Sequence, residues 1–153
     1  MLLGLSIGTG AASAASSKGS PTRFFHGPTI SKVKFKGTVG NPTVTITGQR
    51  FPLLDGGQSI PGDCGGATTG ENYGDFDFID NTSSWAAGST TNNGSGATCV
   101  GIVVSKSTST HIVFTFGNAY GESDWVLCGG DGYTVDIETA SKSGTVSSIG
   151  CTG

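Results

Sequence analysis

"NPTVTITGQRF", residues 41–51, is the stretch that decides the fold. Val44 and Ile46 alternate with Thr43, Thr45 and Thr47, which is the period of a strand with one dry face and one wet face. The run halts at Gly48, and three residues later Phe51 brings an apolar ring back. Glycine can take a positive φ that a side chain resists. The pattern therefore predicts a strand that leaves its sheet at Gly48 and crosses to a second one. Phe51 would then close the end of the interior, a burial worth about 2–3 kcal/mol.

The same alternation recurs along the chain. In "TISKVKFKG", Val33 and Phe35 share a face, while Ile30 is out of phase and predicts a bend near Ser31. In "GDFDFID", Phe76 and Phe78 point inward, with Asp75 and Asp77 outward. Val100, Ile102 and Val104 share a face, as do Ile112, Phe114 and Phe116, and then Tyr133, Val135 and Ile137. "DWVLC" and the closing "GTVSSIG" read as two further short strands. Residues 52–75 and 81–97 are rich in Gly, Ser, Thr, Asn and Asp and read as long loops, the second interrupted by Trp85. About eight short strands with turns between them, and almost no helical period, predict an all-β, antiparallel β-sandwich.

Composition agrees. The chain has 153 residues, enough for one domain, and 27 of them are Gly. Charged residues are only 12% and the net charge is −3, which argues against nucleic acid as a partner. Lys32, Lys34 and Lys36 are the local exception. Their alternation with Val33 and Phe35 reads first as an exposed strand face, with an anionic partner as the functional alternative.

"LLGLSIGTGAASA" reads as a signal peptide over residues 1–14, with Ala12 and Ala14 suited to the cleavage positions and the basic lead residues missing. Residues 15–27 read as a flexible lead-in and residues 28–153 as the domain. No other segment is long and apolar enough for a membrane helix, so a secreted or cell-surface protein is expected. Cys64, Cys99, Cys128 and Cys151 lie at separations of 35, 29 and 23 residues, without a C-x-x-C pair that would favour zinc. Two disulfides are expected, with sequential pairing, Cys64–Cys99 and Cys128–Cys151, preferred among three connectivities.

"TVTITGQRF", preceded by "GPTISKVKF", resembles the opening of the IPT/TIG family, and "STHIVFTF" and "GYTVDIET" look like its closing strands. The resemblance implies an immunoglobulin-like sandwich. Residues 52–98 would be a large insertion in it, and function often sits in such loops.

Catalytic patterns are weak. A Ser/His/Asp triad needs a histidine base, and the only histidines are His26, in the lead-in, and His111, on the outer face of a strand. Asp75, Asp77 and Asp80 form one acidic group and Asp131, Asp136 and Glu138 another; a small secreted glycan-active enzyme using the 75–80 acids is the alternative reading. The same Asp75, Asp77 and Asp80 are the candidate ligands for a structural calcium ion, although the EF-hand spacing is absent. Tyr73, Trp85, Tyr120 and Trp125 lie in or beside Gly/Asn-rich loops and are candidates for stacking on sugar rings. For the two tryptophans the structural alternative is plugging the ends of the sandwich. Asn81-Thr82-Ser83 and Asn93-Gly94-Ser95 match the N-glycosylation acceptor pattern. A non-catalytic module binding a polysaccharide or a surface protein is the expected function, with a purely structural surface role as a further alternative.

Overall fold

The computed structural model describes residues 26–54, 59–60, 76–88, 100–117, 119–122 and 124–151. Among them are nine strands in chain order: β1 (Thr29–Thr38), β2 (Asn41–Gln49), β3 (Ser59–Ile60), β4 (Phe76–Asp80), β5 (Trp85–Gly88), β6 (Ile102–Ser107), β7 (His111–Phe116), β8 (Gly132–Ile137) and β9 (Ala140–Thr145). They form a sheet ordered β1-β2-β7-β6-β3 and a sheet ordered β5-β4-β8-β9, with every ladder antiparallel.

The alternating residues meet between the sheets. Val44, Ile46, Ile112 and Phe114 of one sheet, and Phe78, Val135 and Ile137 of the other, are fully buried. Rings interlock across the gap: Phe76 meets Phe114 edge-on at 5.3 Å, and Phe35 meets Tyr133 at 5.0 Å. Such pairs add about 0.5–1.5 kcal/mol each beyond the area they bury. The architecture is the predicted β-sandwich. The predicted bend is also present, as the β1–β2 register slips between Ile30 and Lys32, and the Ser31 hydroxyl donates to the Thr47 carbonyl at 2.9 Å.

Gly48 behaves differently from the expectation. It stays in β2, paired with Ile30, and its φ is not among the positive ones; the left-handed residue is Arg50, at φ 58°. The strand does not cross to the second sheet there. Glycine is needed because the Thr29 carbonyl oxygen and the Phe51 ring occupy the space a Cβ would take. Phe51 does return to the core, as predicted.

Three assignments need correcting. Residues 124–128 form no strand, because their backbone bonds are local: Trp125 N–H donates to Glu122 at 2.9 Å and Gly121 N–H to Trp125 at 2.9 Å. The last strand is β9, earlier than "GTVSSIG", since Ala140 to Thr145 complete the ladder with β8 despite carrying little apolar pattern. Trp85 is no loop residue; it opens β5, whose four residues are all buried.

Candidate functional site

The sandwich has two seams where sheet edges meet. At one, β5 reaches across to the β6 side: Ala87 bridges Val100, and Gly88 N–H donates to the Val100 carbonyl at 3.2 Å. Ala86, Ala87 and Gly88 make this approach feasible. Gly88, at φ 112°, faces the Phe76 carbonyl and the Ile102 side chain where a Cβ would sit. At the other seam β1 and β9 lie side by side, yet among the described residues β1 pairs only with β2 and β9 only with β8.

A groove of about 690 Å³ runs along this second seam. It is lined by six successive residues of β1, from Lys32 to Gly37, and on the far side by Ser147 and Ser148. Lys32, Lys34 and Lys36 are exposed, Val33 is half-buried and Phe35 is buried. The register sets the lysines opposite Thr47, Thr45 and Thr43, so no acid faces them across the ladder. Successive lysines are about 6.7 Å apart, twice the rise of a strand residue. Lys142 of β9 pairs with the buried Val135, which sends its side chain off the core side of that edge. Inward-pointing charge of this kind keeps an edge strand from pairing indiscriminately.

A second polar cluster is closed off from solvent. Asp80 follows Phe76 and Phe78 on the inward face of β4 and is fully buried. Its Oδ1 accepts the Thr82 and Ser83 amides, each at 2.8 Å, which shapes the turn into β5. Its Oδ2 meets no donor among the described residues. The neighbouring acid is Asp131, 9% exposed, whose Oδ2 accepts the Cys128 amide at 2.6 Å. Burial, followed by the proximity of Asp131, raises the Asp80 carboxyl above its ordinary 3.8, outweighing the two amide bonds. A proton kept on Asp80 can be donated to Asp131, which satisfies both oxygens.

Tyr120 lies over this cluster. Its hydroxyl donates to the Val39 carbonyl at 2.8 Å and accepts the Leu127 amide at 2.8 Å. Burial raises its phenol above 10.0, and the two aspartates add to the shift.

Among the described residues the sequence-predicted sugar platform does not assemble. Trp85 is 1% exposed and packs edge-on against Phe116 at 5.3 Å and Tyr120 at 5.8 Å, so its face is unavailable to a ligand. Tyr120 stacks on Phe116 at 4.8 Å, and Trp125 packs half-buried against the same core. The physical reason is that Trp85 falls on a strand next to the interior, where ring burial outweighs exposure. Tyr73 lies outside the described residues.

Among the described residues the calcium set does not assemble either. Asp77 is on the outer face of β4 and Asp80 on the inner one, because the strand continues through Asp80 without the turn that convergence would need. Asp75 lies outside the described residues. Among the described residues no group of three or more His, Cys, Asp or Glu side chains is placed to hold a metal ion. The acid that actually neighbours Asp80, Asp131, comes from the other acidic group in the sequence. His111 is exposed, with its Nδ1 2.9 Å from the Thr110 hydroxyl. Asn81 is also exposed and donates to the Thr134 hydroxyl at 3.0 Å, while Asn93 lies outside the described residues.

Cys128 and Cys151 form the expected disulfide, with Cα atoms 5.4 Å apart. The backbone around it is tied to the chain end, since Gly129 N–H donates to Ile149 at 2.8 Å and Val146 N–H to Asp131 at 2.8 Å. These bonds fix the segment that carries Ser147 and Ser148. Cys64 and Cys99 lie outside the described residues. No helix among the described residues is long and apolar enough to cross a membrane, which says nothing of a β-barrel. No family model, curated protein or solved structure matches the chain.

Proposed function

We propose that this protein is an exported, non-catalytic binding module whose groove along β1 holds a surface partner bearing a row of negative charge. The observation that carries the reading is the unopposed series Lys32, Lys34 and Lys36 along an open sheet edge. Export is supported by the Cys128–Cys151 disulfide, since such bonds persist in oxidising compartments, and by the small-residue apolar run at residues 1–14. An immunoglobulin-like, IPT/TIG-type membership belongs to the same reading, and the packing of Phe51 against Gly48 supports it. Recognition of a polysaccharide by ring stacking loses its platform with Trp85 in the core; ionic recognition keeps one. The glycan-active alternative is not favoured, because Asp77 and Asp80 face opposite ways and the Asp80–Asp131 pair is shut away from substrate.

Retention on immobilised heparin, polyglutamate and neutral dextran tests this. The protein should be held by both anionic matrices at low salt and released as the Debye length shrinks toward ~3 Å near 1 M salt. The triple variant K32Q/K34Q/K36Q should pass through all three. Equal retention on dextran, or full retention of the triple variant, would refute the reading.

A further inference from the structure

We infer that the open edge of β1 accepts an added β-strand, supplied by an extended peptide in which acidic residues alternate with small or apolar ones. This rests on the binding role proposed for the same groove and names the occupant.

The groove's lining carries the argument. Neighbouring residues of a strand point to opposite faces. A space bounded by six successive residues, 32–37, therefore runs along the edge of β1 and not over either face of its sheet. That edge is where the backbone N–H and C=O groups turned away from β2 lie. The template is also regular. The bulge sits before it, at Ser31, and from Lys32 to Thr38 the register with β2 is unbroken. Gly37, at φ 98°, ends the extended run, so the five residues 32–36 give about 16 Å of straight edge.

Side chains then select the occupant. Residues directly opposite one another in a ladder have Cβ atoms about 4.5–5.5 Å apart, or a little more, and opposite charges there are favourable while like charges are not. An incoming strand's outer residues would lie beside Lys32, Lys34 and Lys36, so acids are selected at every second position. Its remaining residues would lie on the side of Val33 and Phe35, which selects small or apolar ones. A second copy of this chain does not meet the requirement at either seam edge: its β1 would bring the same lysines, and its β9, ASKSGT, carries no acid. Edge lysines usually guard against pairing. Here the guard discriminates by sign, rejecting self-association and admitting an acidic strand. Strand addition draws its affinity from backbone hydrogen bonds and its specificity from alternate side chains, and this edge supplies both.

The test uses the full oxidised chain and a synthetic peptide, Glu-Val-Glu-Thr-Glu-Val-Glu. Two further versions carry N-methyl groups on one or the other set of alternate amides, leaving charge intact. Binding is followed by titration, and the β1 amides by hydrogen exchange. The parent peptide should bind and slow exchange within residues 32–37. One N-methylated version should bind at least tenfold more weakly, as should the parent peptide with K32Q/K34Q/K36Q. The all-arginine variant K32R/K34R/K36R should restore binding, and unchanged melting of both variants shows that they fold. Equal binding of both N-methylated versions, or unaltered exchange in the complex, would overturn strand addition while leaving the anionic-partner reading standing. Heparin retention without peptide binding would likewise overturn it and assign the groove to an acidic polysaccharide. Failure of every polyanion to be retained would overturn both.

Discussion

At one seam of the sandwich, Ala86, Ala87 and Gly88 bring two backbones close enough for Gly88 to bond Val100; at the other, β1 and β9 present Lys32, Lys34, Lys36 and Lys142. Both seams join the same two sheets, so the alternation that builds the faces cannot by itself distinguish them. What differs is the residue type at the edge. Residues with little or no side chain let main chain meet main chain, and long charged side chains favour water or an opposite charge. The closed seam is thereby committed to stability, and the open one leaves its edge free for the binding role proposed above.

The most forceful way to break this contrast is to cut into the closed side. Trp85→Ala removes the ring that joins β5 to Phe78, Phe116 and Tyr120, and should cost about 3–5 kcal/mol in denaturant unfolding. Lys34→Gln at the open seam should change the same measurement by less than about 0.5 kcal/mol. Comparable losses at the two sites would erase the distinction. Gly48→Ala comes next. The new methyl would meet the Thr29 carbonyl and the Phe51 ring, so a loss of about 1–3 kcal/mol is expected in thermal or denaturant melts. A neutral result would show that β1 yields easily at its paired edge, against a rigid template.

The gentlest effect concerns the buried acids. Because the folded protein raises the Asp80 carboxyl above 3.8, the native state keeps a proton that the unfolded chain releases. Stability should therefore be greatest in mild acid and decline as pH rises from about 4 through the raised value. Asp80→Asn can still accept the Thr82 and Ser83 amides and can donate to Asp131, so it should flatten that decline. A melting-temperature profile over this range that is identical in the two proteins would contradict the shared-proton account.

Faces were readable from the sequence wherever a strong period-two pattern stood alone. Val44 and Ile46, Phe76 and Phe78, and Ile112, Phe114 and Phe116 all point as their alternation requires, and Ile30's broken phase located the bulge at Ser31. Distances along the other axis were not readable. Which strand ends a sheet depends on pairings between residues far apart in the chain, so the lysine row could be read as exposed but not as an edge. Trp85 reads as a loop residue because its neighbours are small, yet that smallness is what lets β5 sit against the second sheet. Proximity in sequence groups Asp80 with Asp77. The strand's pleat separates them and brings Asp80 to Asp131, 51 residues away by number. Gly48 stands out in the sequence, but the reason is a backbone and a ring in close approach and not its φ.

Residue-resolved hydrogen exchange along β1 of the unliganded protein tests the central claim most directly. If β1 is an open edge bonded only to β2, amides of residues 32–38 should alternate, every second one protected and those between exchanging at rates near those of exposed chain. Uniformly slow exchange along these residues would mean that the edge is already covered, and would contradict the account.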